Sequence, residues 1–211
     1  MTAARRHAEE LNLQASLDVL RPVAEQCEEA AGAVEYAEGL LAAQEAAKAG
    51  GTMESLREVR SAANGLSRRA EGGDRRWEIA SLLVRAAAAA AQYEREEMAV
   101  YLAEATRLEQ PLLAARLPPV PLISAHECAG DLWLQVHRFE EARKAYAAAA
   151  EQVGRTGRVQ LGEARAAARM KDLPAACRAY RAFAQWWGQR SFARAEIVEA
   201  RTFVIRSCVR R

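Results

Sequence analysis

The amino-acid sequence predicts an all-α protein in which antiparallel helical hairpins stack as a short right-handed α-solenoid. Hydrophobic residues make up 51% of the chain and aromatic residues only 6%, and much of the apolar content is alanine, the strongest helix former. Apolar residues recur three and four positions apart, as one face of a helix requires. No stretch alternates apolar and polar residues for long enough to predict a strand. At 211 residues the chain can bury a core, so we predict one domain over residues 1–211.

The N-terminal part is predicted to contain a helical region and a first helix pair. Leucines at helical spacing mark residues 1–32, where Pro22 should kink or split the helix because proline lacks a backbone N–H. Gly32 is expected to end this region. The first pair is predicted over residues 33–70, and the Gly50–Gly51 step separates its two helices.

A second helix pair is predicted over residues 74–109, with Asp74 as the N-cap of its first helix. A long loop is expected after it, because prolines disfavour helix. These prolines are Pro111, Pro118, Pro119 and Pro121. The apolar residues between them indicate a strap packed over neighbouring helices. The alternative is a polyproline segment that binds another domain.

The segment from His126 to Trp187 contains two copies of one pattern, offset by about 34 residues, a known helical-repeat period. The copies form the helix pairs predicted over residues 121–153 and 157–187, and their turns are predicted at residues 137–138 and 171–172. Small residues of each pair face each other, and the tyrosines fill the space toward the next pair. The registered positions pair Gly130 with Ala164, Phe139 with Leu173, Ala142 with Ala176 and Tyr146 with Tyr180.

These positions resemble the tetratricopeptide repeat (TPR) family. The first copy matches its pattern of small and large positions with Gly130, Trp133, Phe139, Ala142, Tyr146 and Ala149. The second copy keeps Ala164, Leu173, Ala176 and Tyr180 but departs at Ala167 and Phe183. The resemblance implies a stack of helix pairs with a concave face that binds peptides or proteins. Residues 77–187 also resemble the C-terminal part of larger bacterial repeat proteins of unassigned role. The alternative is two unrelated helical hairpins.

Residues 189–211 are predicted to form a C-terminal capping helix, because the end of a solenoid otherwise leaves apolar surface in water. Phe192, Ile197, Phe203 and Cys208 lie on the face expected to cap the last pair. A second apolar line, bordered by arginines, predicts a self-association surface. It consists of Val198, Ile205 and Val209. A homodimer, two-fold or head-to-tail, would bury this line; the alternative is that the loop at 110–122 covers it.

The charges and motifs exclude several classes of function. The net charge of +2 gives no indication of nucleic-acid binding, and no apolar run is long enough to predict a membrane span. The four cysteines form no CxxC motif, so we expect reduced thiols in a cytoplasmic protein. No catalytic or nucleotide-binding motif is present, and His126 and Cys128 are too close in sequence to share a metal ion on one helix. We therefore predict no enzyme activity, no cofactor and no metal.

Arginines on one helix predict the ligand surface. The resemblance to the TPR family places Arg158, Arg165 and Arg169 at positions that face the ligand, with Asp131, Gln135 and Glu127 as neighbours in the preceding repeat. The guanidinium group of arginine can bind a carboxylate through two hydrogen bonds, so the expected partner is an acidic protein or peptide. The alternative is a solvated arginine face.

The predicted function is therefore a protein–protein interaction scaffold that binds a peptide or protein on the concave face of a TPR-like array. Two alternatives stay open at this point. One is a ligand-sensing regulatory domain of a larger protein, and the other is an enzyme with an unrecognised site.

Overall fold

The computed structural model describes residues 1–9, 11–115, 122–188 and 194–208, and all regular structure in these ranges is helical. Eleven α-helices follow one another and a π-helical turn, π1, follows the last. They are α1 (Thr2–Glu9), α2 (Leu13–Ala24), α3 (Glu28–Lys48), α4 (Arg57–Ala70), α5 (Arg75–Ala91), α6 (Arg95–Ala114), α7 (Ala125–Gln135), α8 (Phe139–Val153), α9 (Gly157–Arg169), α10 (Leu173–Trp187), α11 (Arg194–Phe203) and π1 (Val204–Cys208). The predicted all-α fold of consecutive helical hairpins is confirmed.

Residue contacts divide the chain into two compact units, where the sequence predicted one domain. Unit 1 comprises residues 1–8 and 13–128, and unit 2 comprises residues 9–12 and 129–211. The boundary falls within α7, so that helix begins in unit 1 and ends in unit 2. Unit 1 contains the first two predicted helix pairs. Unit 2 contains most of the third pair, the fourth pair and the C-terminal helix.

The same type of turn joins the two helices in each of the last three pairs. Tyr93, His137 and Lys171 each have a left-handed backbone, with φ values of 59°, 62° and 62°. In each turn the next residue donates its N–H to the carbonyl five positions earlier, at 2.8–3.0 Å. This is the hydrogen bond of a Schellman C-cap, which satisfies a carbonyl that the helix end leaves without a partner. The turns predicted at residues 137–138 and 171–172 are confirmed.

Glycine and proline act differently from the prediction at two positions. Gly32 lies inside α3 rather than at a helix end, and a Cβ there would be 2.4 Å from the ring of Trp77. It is therefore a site of close helix approach. Pro111 lies inside α6, which continues to Ala114, so the predicted loop begins later than expected. Pro22 lies inside α2, two residues before its end. The other three prolines of the loop lie outside the described residues.

Tyr146 is the centre of the packing between α7, α8 and α9. Its side chain is fully buried. A Cβ at Gly130 of α7 would be 2.5 Å from the ring, and one at Gly162 of α9 would be 2.2 Å from it. The ring therefore fills the space between one pair and the next, as the repeat register predicted. Glycine at these two positions is what allows an aromatic ring to fit there.

Helix α11 covers the apolar end of the last pair. Ile197 and Ala200 are buried in one cluster with Tyr180 and Phe183 of α10, and Phe203 packs against it. This is the contact expected of a C-terminal cap. Phe192, which was expected to contribute, lies outside the described residues.

The prediction that all four cysteines are reduced is wrong for two of them. Cys177 of α10 forms a disulfide with Cys208, the last residue of π1. The two cysteines are 31 residues apart in the sequence, and they come into contact because the C-terminal helix packs on α10. The sequence pattern therefore did not predict the pairing. Cys27 and Cys128 are reduced thiols, one exposed and one buried.

Candidate functional site

A groove of about 610 Å³ in unit 2 brings together three of the predicted ligand-binding residues. We call it the arginine groove. It is lined by Leu134, Gln135, His137, Arg165, Ala168, Arg169, Tyr180, Glu199 and Phe203. Arg165 and Arg169 share one side of α9 because they are four residues apart, and Gln135 is the last residue of α7.

Arg165 is held in place by a carboxylate from the C-terminal helix. Its Nε and Nη2 donate to the two oxygens of Glu199, at 3.0 and 2.5 Å. The hydroxyl of Tyr180 donates to the same carboxylate at 2.9 Å. A two-point pair of this kind fixes the orientation of a guanidinium and largely compensates its charge. Arg165 therefore shapes the groove but adds little net charge to it.

The pKa values in this cluster follow from the same contacts. Burial alone would raise the pKa of Glu199, but the Arg165 ion pair and the Tyr180 hydrogen bond outweigh it and hold that pKa below its ordinary value. Burial and the neighbouring carboxylate raise the pKa of Tyr180. Glu199 is thus ionised at neutral pH and Tyr180 keeps its proton, so the three groups form a stable hydrogen-bonded set.

Arg169 differs from Arg165 in its ion pairing. Its side chain is exposed, and no carboxylate in the described ranges forms an ion pair with it. The rings of Tyr180 and Phe203 line the same groove, with centroids 4.4 Å apart. The groove therefore offers one available guanidinium beside an aromatic wall.

Arg158 and Asp131, two other predicted ligand-binding residues, bind each other. Arg158 is 6% exposed and forms an ion pair with Asp131. Asp131 also accepts a hydrogen bond from the Tyr146 hydroxyl at 2.7 Å. Burial and the charge of Asp131 raise the pKa of Tyr146. This cluster joins α7, α8 and α9, so the two charges are paired within unit 2.

Glu127, the last of the predicted set, is buried in unit 1 as part of a helix cap. Its carboxylate accepts from the N–H and the hydroxyl of Ser124 at 3.1 and 3.0 Å, and its own N–H donates to the Ser124 hydroxyl at 3.2 Å. This reciprocal pair is a capping box at the start of α7. The S-x-x-E spacing at residues 124–127 is the sequence signature of a capping box. The repeat register assigned Glu127 to the ligand surface instead.

Glu199, Tyr180 and Phe203 are groove residues that the sequence analysis missed. The signal for Glu199 was its spacing of 34 residues from Arg165. Asp131, Arg165 and Glu199 follow one another at intervals of 34 residues, so the charge alternates along this spacing. Arg165 lies close enough to both acids for each to raise its pKa, against the effect of burial.

A larger groove, of about 980 Å³, lies in unit 1 between α2, α3 and α4. Its lining is acidic, but most of the carboxylates are already paired with basic residues of the same unit. The pairs are Glu38 with Arg21, Glu35 with Arg69, Glu45 with Lys48 and Glu54 with Arg57. This groove therefore presents little uncompensated charge to a ligand.

The predicted self-association line is exposed where it is described. Val198 is 59% exposed and Ile205 is 69% exposed, and Arg201 and Arg206 beside them are exposed too. Val209 lies outside the described residues. Self-association through this line stays a prediction.

No family model, curated protein or solved structure matches this chain in the comparisons with known proteins. Within the described ranges, no group of three histidine, cysteine or acidic side chains could hold a metal ion. The helices of those ranges also include none with the length and apolar content to cross a membrane.

Proposed function

We propose that this chain is a helical-repeat scaffold that binds an acidic peptide or protein segment in the arginine groove. The observation that carries the proposal is the exposed guanidinium of Arg169, which forms no ion pair with the described carboxylates, beside the rings of Tyr180 and Phe203. A ligand carboxylate would pair with the guanidinium in two contacts, and a neighbouring apolar side chain would pack on the aromatic wall, as in the core of many interfaces.

Membership in the TPR family is part of the same proposal. It is supported by the two turns 34 residues apart in the register of the repeats and by the burial of Tyr146 between successive pairs. The cytoplasmic location stays a prediction as well. It relied on reduced cysteines, and the Cys177–Cys208 disulfide is of a kind that persists mainly in oxidising compartments.

Titration with defined peptides tests the proposal. The probe is a short fluorescent peptide of Glu, Asp and Leu, and the matched peptide carries Lys in place of every acid. Binding measured by fluorescence anisotropy should be confined to the acidic peptide and should weaken with added salt, because exposed charges are screened. Arg169→Ala should reduce the affinity about tenfold and Arg169→Glu further, since the loss of a charge-assisted hydrogen bond costs about 1.5–3 kcal/mol.

Arg178→Ala is the matched control, because Arg178 is an exposed arginine of α10 that does not line the groove. Equal loss of affinity in the Arg178 and Arg169 variants would contradict the assignment of the groove. Binding of inorganic phosphate in competition with the peptide, with the same dependence on Arg169, would instead favour the ligand-sensing alternative.

A further inference from the structure

The Cys177–Cys208 disulfide fastens the C-terminal helix at its far end. The start of α11 is connected to α10 through the chain, and its other end leads through π1 to Cys208. The disulfide joins Cys208 to Cys177 of α10. The backbone carbonyl of Cys208 also accepts a hydrogen bond from Arg181 of α10 at 3.1 Å. α11 and π1 therefore belong to a covalently closed loop.

This fastened helix builds one wall of the arginine groove. Glu199 comes from α11 and holds both Arg165 and Tyr180, and Phe203 places its ring against that of Tyr180. Among the described side chains of α11, Ile197 and Ala200 are buried against α10, and Phe203 packs partly buried against the same cluster. A helix of this length is marginal in water without tertiary support, so its order depends on these contacts and on the covalent link to α10.

We propose that the Cys177–Cys208 disulfide regulates the arginine groove, so that the oxidised chain binds an acidic segment and reduction weakens that binding. This inference rests on the proposed function of the same groove. Reduction leaves α11 held by non-covalent contacts alone and lowers the fraction of molecules in which Glu199 and Phe203 are in place. The apparent affinity falls with the fraction of molecules that is competent to bind.

The reductant is a dithiol, and the step is ordinary thiol–disulfide exchange. One thiolate of the reductant attacks the sulfur of Cys208, the more exposed of the two cysteines, forming a mixed disulfide and releasing the Cys177 thiolate, which takes up a proton. The second thiolate of the reductant then attacks the mixed disulfide and releases Cys208, which is also protonated. The protein gains two electrons and two protons, and the dithiol becomes a disulfide.

The test measures binding and helix protection on the same full-length chain, before and after reduction with dithiothreitol. A Cys27→Ser background removes the exposed free thiol. Reduction should weaken binding of the acidic peptide about tenfold, within the usual range of coupling between linked sites. Amide hydrogen exchange over residues 194–208 should speed up at the same time, whereas exchange over α8 and α9 should not change.

Cys208→Ser is the matched variant. It should bind as the reduced chain does and should no longer respond to dithiothreitol. Unchanged affinity on reduction, or tighter binding, would overturn the regulation while leaving the groove's function in place. If the oxidised chain does not bind the acidic peptide at all, the proposed function itself fails. Unchanged exchange over residues 194–208 would separately show that the disulfide does not hold the helix.

Discussion

Tyr146 and Gly162 are packed so closely that a Cβ at residue 162 would lie 2.2 Å from the tyrosine ring. Side-chain carbons do not approach an aromatic ring to that distance, so the fit requires glycine. The pair joins α8 to the first helix of the following hairpin and therefore couples two neighbouring hairpins. Because the ring is rigid and fully buried, the added carbon can be accommodated only if one of the helices moves.

Gly162→Ala should consequently destabilise the protein, although alanine is the better helix former. Overpacking a well-filled core costs about 1–3 kcal/mol, and we expect a loss of that order in the free energy of unfolding measured by urea denaturation. Gly72→Ala is the control, because a Cβ there meets only one backbone oxygen at 3.6 Å. A Gly162 variant as stable as the Gly72 variant would show that this packing is loose.

A second prediction concerns the alanines at the close helix contacts. Ala142 and Ala176 have no exposed surface, so Ala142→Trp and Ala176→Trp should each cost at least about 1–3 kcal/mol. Ala147→Trp is the control, since Ala147 is an exposed residue of the same helix as Ala142. Thermal unfolding should separate the two buried substitutions from the control by several degrees. Similar melting of all three variants would contradict the repeat register.

The helices and their turns could be predicted because local signals determine them. The 34-residue register located the turns at His137 and Lys171, although neither is glycine, since apolar periodicity on both sides identified where each helix ends. Gly32 was misassigned because glycine serves both as a helix stop and as a point of close approach. Only the position of Trp77, which is distant in sequence, decides between the two roles.

The stability of the protein should depend on the ionisation of Glu199 at acid pH. Its pKa is lowered from the ordinary value of 4.5 in the folded state, so the unfolded chain takes up a proton first. The contribution is therefore complete at pH values above 4.5 and is lost as the pH falls through the folded-state pKa. We expect Glu199→Gln to be less stable than the wild type at pH 7 and to approach it at pH 3, by urea denaturation at each pH.

Glu163 provides a control of opposite sign, because burial raises its pKa despite the nearby Arg155. Its charged form is disfavoured in the folded state, so its contribution to stability decreases as the pH rises. The stability of Glu163→Gln relative to the wild type should therefore be higher at neutral pH than at acid pH. The same pH profile for both variants would show that the environments of these two carboxylates are not distinct.

The capping box at the start of α7 supports a fourth prediction. Ser124→Ala removes the hydroxyl that accepts from the N–H of Glu127, and the loss of an N-cap typically costs about 1 kcal/mol. Glu127→Gln keeps an oxygen that can accept from Ser124 and should cost less than Glu127→Ala. Equal unfolding free energies for the two Glu127 variants would indicate that the reciprocal hydrogen bonds contribute nothing measurable.

The exposed line on the C-terminal helix supports a fifth prediction. If Val198 and Ile205 form a contact between two copies, light scattering at high micromolar concentration should detect a dimer that Ile205→Glu disrupts. Val100→Glu is the control, because Val100 is 67% exposed on α6 in unit 1. A monomeric wild type, or a dimer that persists in the Ile205 variant, would exclude this surface.

The composition of the candidate site was harder to predict than the fold. The repeat register grouped Gln135, Arg165 and Arg169 on one surface, and all three line one groove, but the register could not tell which charged residues pair within the chain. Arg158 and Asp131 form an ion pair with each other. The partner of Arg165 is Glu199, on the helix that was predicted only to cap the last pair. The 34-residue spacing relates Asp131, Arg165 and Glu199, but which charged residues pair depends on side-chain positions that periodicity does not determine.

The alternation of Asp131, Arg165 and Glu199 limits how such a chain can grow. Duplicating the helix pair over residues 157–187 once would place two arginines at successive equivalent positions, where like charges repel. Adding an acidic and a basic pair together would restore the alternation. Lengthening of this helical stack by gene duplication should therefore add two helix pairs at a time, or carry a charge-reversing substitution at the new copy of residue 165.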